Sequence, residues 1–198
     1  MNKVILDFIK SGVEPLPDNT YGDGYRCSVY LKDRTYLPCV LLRHSRKVVE
    51  LAIRRFEDEK SGKGCIRSEN PYEDVVGNFV CHGNRVSDHE IAEVQHSRFA
   101  IPLHLLRQIH GETSMGWTGF VLEMRDGKYV SYGTTFLMEF FDIPEEYTFE
   151  DVVAVHNHSY VNSYGELKSL VSDRSDAPGY YASTVRRERP YFLCYLDL

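Results

Sequence analysis

The sequence predicts a mixed α/β fold: a predominantly antiparallel sheet flanked by helices, with an N-terminal α/β extension. Three observations predict it. Apolar runs of strand length alternate with short segments whose apolar residues recur at helical spacing. Asp126-Gly127 sits between two β-rich runs, a strong short-range hairpin signal. The composition, 42% hydrophobic and 26% charged over 198 residues, is that of a globular chain long enough to bury a core.

The elements follow in order. Ile5, Phe8 and Ile9 have helical spacing, Gly12 is placed to cap that helix, and Pro15 and Pro17 prevent its continuation. After the turn YGDG, the runs YRCSVYLKD and YLPCVLLRH read as a hairpin. Ser45 reads as an N-cap, and Val49, Ala52, Ile53 and Phe56 make the best amphipathic helix in the chain. Residues 57–71 are polar and carry glycines, which suits a loop or subdomain boundary; their SGKG lacks the spacing of a phosphate-binding loop. DVVGNFVCH is expected to be a strand. Pro102 opens a helix carrying Leu103, Leu106 and Ile109, which Gly111 ends. WTGFVLEM and KYVSYGTTFLMEFF form the hairpin around Asp126-Gly127. The connector FDIPEEYTFE leads to the apolar strand DVVAV, SYGELKSLV reads as a short helix, and YFLCYLDL as a buried closing strand.

Charge and cysteine usage narrow the function classes. Lys and Arg number 23 against 29 Asp and Glu, a net charge of −6, so no global field draws the chain to nucleic acid. Arg186, Arg187 and Arg189 are the nearest thing to a basic patch, and a solvated strand entry explains them as well as phosphate contact does. The five cysteines are irregularly spaced with no Cys-x-x-Cys pair, as expected of free thiols in a reducing cytosol. Asp7 and Lys10 interrupt the N-terminal apolar stretch, so no secretory signal is expected there, and no run suits a membrane span. A cytoplasmic protein is the expectation.

The segment that points to chemistry is Val152-Val153-Ala154-Val155-His156-Asn157-His158. Two histidines two apart on a strand end point to the same side, and neutral imidazoles favour zinc. Surface or hydrogen-bonded core histidines show the same pair. The order from Phe99 onward is a Pro-initiated helix, Glu112, Gly116 and Gly119, a strand, a hairpin, an apolar strand, His-x-His and a helix. This order resembles the JAMM/MPN metalloprotease family over roughly residues 99–198, leaving 1–98 as an N-terminal extension. The resemblance implies a zinc hydrolase of peptide, isopeptide or related amide bonds. His156 and His158 would be ligands to Zn²⁺, and Glu112 the general base. In the family pattern Ser and Asp follow the second His at fixed distances, but here Glu166 and Ser169 hold those places and Ser159 replaces the usual Pro. The third ligand must therefore come from a loop of different length, Asp173 or Asp176. The alternative is a shorter Ser163-x-x-Glu166 version, whose two residues equally make an ordinary capping box. Ser172 or Ser163 would hold the oxyanion.

A second reading has no metal. The chain would then be a non-catalytic protein-binding module of inhibitor or immunity type, with its 14 tyrosines and acidic surface serving one protein interface. The other histidines, at 82, 89, 96, 104 and 110, show no His-Glu-x-x-His spacing and are expected at the surface. A protein or peptide is the expected substrate or partner on either reading.

Overall fold

The computed structural model describes residues 3–63, 70–79, 83–111, 116–135, 137–169 and 185–197. Its mixed α/β content is as expected from the sequence, and its sheets are mainly antiparallel. The chain forms two compact units: Met1–Ser97 together with Tyr191–Leu198, and Arg98–Pro190. The closing strand thus belongs to the first unit, although the sequence reading counted it within 99–198. Among the described residues no helix is long and apolar enough to cross a membrane.

The first unit is built on a four-stranded sheet in the order β10-β2-β1-β3. Strands β1 (Gly24–Leu31) and β2 (Tyr36–His44) form the expected antiparallel hairpin. Strand β3 (Ile91–His96) adds antiparallel to β1, and β10 (Phe192–Leu196) adds parallel to β2. Helix α1 (Lys3–Gly12) buries Ile5 and Ile9 in a cluster with Cys27, Val29, Val40, Leu42 and Cys194. The same face of the helix was legible as spacing in the sequence.

Burial within this core holds the thiols of Cys27 and Cys194 protonated, each pKa pushed up to about 12 despite the opposing pull of Arg26 on Cys27 and Arg85 on Cys194. Because the thiolate is the nucleophile, iodoacetamide at pH 8 should modify both roughly a thousandfold more slowly in the folded protein than in urea. Mass mapping of alkylated peptides against time reads this, and labelling of both at the unfolded rate would contradict the buried placement.

Helix α2 (Ser45–Lys60) departs from the expectation at both its cap and its face. The N-cap is His44, whose Nδ1 accepts from the Arg46 N–H, while Ser45 Oγ donates to Asp197. The residues it buries are Val48 and Leu51; Val49 and Ile53 stand exposed. The sequence periodicity was real, but an apolar stripe wider than the contact cannot say which edge faces inward.

The expected strand DVVGNFVCH is corrected to helix α3 (Pro71–Phe79) as far as it is described. Asn70 Oδ1 accepts from the Glu73 N–H, Asn70 Nδ2 reaches the Glu73 carboxylate, and proline stands at the first helical position. This reciprocal cap outweighs the β preference of Val75-Val76.

The second unit has the sheet order β6-β4-β5-β9. Helix α4 is a single turn, Leu103–Leu106, shorter than the helix expected up to Gly111, although turns at Gln108 and Ile109 continue the curl. The hairpin β4 (Thr118–Met124) and β5 (Tyr129–Thr134) turns at Asp126-Gly127 as expected, with Gly127 at φ 82. Strand β6 (Val152–Asn157) pairs antiparallel with β4, and β9 (Val185–Arg186) parallel with β5.

One face of this sheet carries the core. Phe120 and Tyr132 stack with ring centroids 5.2 Å apart, and the Phe141 ring meets both edge-on at 5.8 and 5.9 Å. Ile101, Leu105, Leu122 and Met124 complete it.

The short helix expected at SYGELKSLV is corrected to a hairpin of β7 (Ser159–Val161) and β8 (Leu167–Ser169). Asn162 Oδ1 accepts from the N–H groups of Tyr164 and Glu166, and Gly165 takes φ 80. This clasp gives the backbone a turn in place of a helix.

Candidate functional site

The site lies where β6 ends in the second unit. His156 is within the strand, opposite Val121 of β4. Glu123, on the same strand β4 and two residues along, faces the same side of the sheet. Its Oε2 lies 2.9 Å from His156 Nε2, and both side chains are about a third exposed (31% and 30%). A carboxylate only accepts, so Nε2 carries the hydrogen and a neutral His156 keeps its lone pair on Nδ1. Tyr129 of β5 meets the imidazole edge-on at 6.0 Å, which limits its rotation.

His158 has left the strand. Its backbone takes φ 51, the left-handed region that non-glycine residues seldom occupy, so strand alternation ends at Asn157. The expectation that both imidazoles share a side by strand pleat does not carry across this turn. His158 is instead set by its N–H bond to the Gly119 carbonyl at 3.0 Å and by the residue before it. Asn157 Oδ1 accepts from the His110 N–H at 3.0 Å, and its Nδ2 donates to the Gln108 carbonyl at 2.7 Å. The middle residue of His-Asn-His therefore ties the end of β6 to the segment following α4.

The tie brings Gly111 against the His158 ring. A β-carbon at Gly111 would stand 2.2 Å from His158 Nε2, and φ 82 independently favours glycine there. His158 Nε2 is buried and has no hydrogen-bond partner among the described residues. A buried nitrogen with a lone pair or hydrogen to satisfy is costly to leave alone, by roughly 1–3 kcal/mol, and non-glycine left-handed backbone adds strain of about 1–3 kcal/mol. Two unfavourable features thus fall on one residue, His158.

Among the described residues no three His, Cys, Asp or Glu side chains gather as a metal-holding group. Glu112, Ser172, Asp173 and Asp176 lie outside the described residues. Ser163 and Glu166 are exposed in the β7–β8 turn. Glu166 is hydrogen-bonded to Lys168 and to Asn162, which hold its carboxyl below the usual range.

The basic cluster is internally matched. Arg186 and Arg189 both reach Asp142, at 2.6 and 2.9 Å, while Arg187 pairs with Glu188 and lies 4.3 Å over the Trp117 ring. His89 bonds Ser87, and His96 packs edge-on against Phe8.

Sequence reasoning missed Glu123 and Asn157. Glu123 becomes visible only once the β4–β6 register is known. Asn157 was in plain view between the histidines, but its role needs the return of the chain after α4. No protein-family model, curated protein sequence or solved structure matches the chain.

Proposed function

We propose that the second unit is a zinc-dependent hydrolase of peptide, isopeptide or related amide bonds, JAMM-like in the order of its elements as far as His-x-His. The buried Nε2 of His158, without a hydrogen-bond partner among the described residues, supports this reading, because a metal ion would satisfy it and offset the strain at φ 51. His156 would offer its Nδ1 to a metal, with Glu123 as the carboxylate that fixes the tautomer and orients the ring. The third ligand would be Asp173 or Asp176; the Glu166 carboxylate is already satisfied by Lys168 and Asn162.

Bound zinc supplies a Lewis acid for the scissile carbonyl and an acidified water near neutral pH. Glu112, the residue after Gly111, would accept the attacking water's proton and return it to the leaving nitrogen. Ser172, or Ser163 in the shorter-loop version, would donate a hydrogen bond to the developing oxyanion.

The test compares zinc-loaded wild type with Glu112→Gln on peptide and isopeptide conjugates from host lysate. The amide keeps the size of the side chain and loses its basicity. Cleavage should fall by roughly a hundredfold or more while bound zinc and melting temperature stay unchanged. Equal cleavage by the variant removes Glu112 from the mechanism, and wild type that neither binds zinc nor cleaves favours the binding-module reading.

A further inference from the structure

The first unit carries an apolar surface that its own core does not use. Along α2, Arg46, Val49, Ile53 and Glu57 follow at intervals of three, four and four residues, so they form one ridge of the helix. All four are exposed, Val49 at 54% and Ile53 at 55%. The ridge borders a groove of about 750 Å³ floored by Val48, Ala52 and Phe56, and Tyr72 of α3 stands 67% exposed on its other bank. Exposed apolar residues scattered singly need no explanation, but a continuous ridge beside an apolar groove does.

The order of charges along the ridge says what fits it. Read from its N-terminus it runs basic, apolar, apolar, acidic; read from its C-terminus it runs acidic, apolar, apolar, basic. An antiparallel copy of the same helix is therefore its complement. With Val49 of one copy over Ile53 of the other, Arg46 of each falls beside Glu57 of its mate.

Each charge is also at the wrong end of a solitary helix. Arg46 is in the first turn, where the macrodipole is positive and no acidic residue offsets it, and Glu57 lies in the acidic Glu57-Asp58-Glu59 run near the negative end. An antiparallel partner reverses both penalties. Arg46 Nε already bonds Glu50 at 2.9 Å, which leaves its terminal nitrogens for a second carboxylate. Glu57 has no ion-pair partner among the described residues.

We propose that this ridge is an isologous interface, through which two copies of the chain pair about a two-fold axis passing between Val49 and Ile53. Such an interface is self-complementary by construction, as a two-fold axis requires. The apolar centre supplies the affinity and the flanking charges the register.

Sedimentation equilibrium on the full chain, from low to high micromolar, tests it. Wild type should dimerise, and Ile53→Glu, at a surface position where the substitution leaves the chain folded, should weaken dimerisation about tenfold or more. Val49→Lys serves as a second probe should Ile53→Glu fail to fold. Arg46→Glu and Glu57→Arg should each weaken the dimer a few-fold, with an effect that fades at high salt. The doubly exchanged protein should recover, since the order of charges is again complementary. A monomeric wild type through the high micromolar range overturns the proposal, as does a dimer indifferent to Ile53→Glu and Val49→Lys. Failure of the exchanged pair to recover overturns the antiparallel register.

Discussion

His158→Ala protein should emerge from purification without zinc, whereas wild type should carry close to one equivalent. The removed nitrogen is the buried one with no partner among the described residues, so its loss would delete the proposed ligand without breaking a hydrogen bond that those residues make to it. Apo variant and apo wild type should accordingly melt close together. On adding Zn²⁺ only wild type should rise, because a ligand that binds the folded state alone stabilises it by mass action, about 4 kcal/mol at a thousandfold excess over Kd. Glu123→Ala should act more mildly. It frees the His156 ring without removing it, and loss of such an orienting carboxylate typically lowers metal affinity by roughly 10- to 100-fold. Metal analysis by mass spectrometry and thermal melts decide both. Stoichiometric zinc in His158→Ala, or no zinc response in wild type, would sink the assignment of this nitrogen.

The second large effect belongs to the core beneath the site. Phe120 is fully buried between the Tyr132 and Phe141 rings on the strand that also bears Glu123. Phe120→Ala should cost about 3–5 kcal/mol, from lost burial and the cavity left among rings that cannot collapse into it. Tyr132→Phe in the same stack should change stability by less than about 1 kcal/mol, or raise it. The Tyr132 hydroxyl is buried without a hydrogen-bond partner among the described residues, and burial pushes its pKa up, so it contributes little beyond its ring. Denaturant unfolding of the two variants measures the contrast. If Tyr132→Phe proves the more damaging, the hydroxyl has a partner and the core must be redrawn.

Legibility in the sequence followed the range of the interaction. The β4–β5 hairpin and the neighbouring β6 were readable because Asp126-Gly127 and the apolar runs are local signals. So was the β1–β2 hairpin. Helix α3 departs from the expected strand although its cap, Asn70-Pro71 with Glu73, is just as local, because Val75 and Val76 by themselves favour a strand. The β7–β8 turn was misread because Ser163 and Glu166 imitate a capping box while Asn162, one residue earlier, closes the turn. At the candidate site the two histidines were readable as types, but their geometry was not. It depends on φ at His158, on the grip of Asn157 upon residues 108–110, and on a strand register that sets Glu123 beside His156. None of these is encoded within a short window.

The parallel strand β10 has a further consequence, for the order of events at the ribosome. Strand β2 ends at His44 and its neighbour β10 begins at Phe192, so the whole of residues 98–190 is synthesised between the two. The sheet partners of the second unit all lie within 98–190, and it can close as soon as that stretch has left the exit tunnel. The first unit, begun earlier, must hold the β2 edge open until Phe192–Leu196 arrive. During that interval Val40 and Leu42 lack the strand that completes their sheet. The earlier-made half of the protein is thus the later to finish folding, and the exposed β2 edge is where a nascent chain would be most prone to mispair.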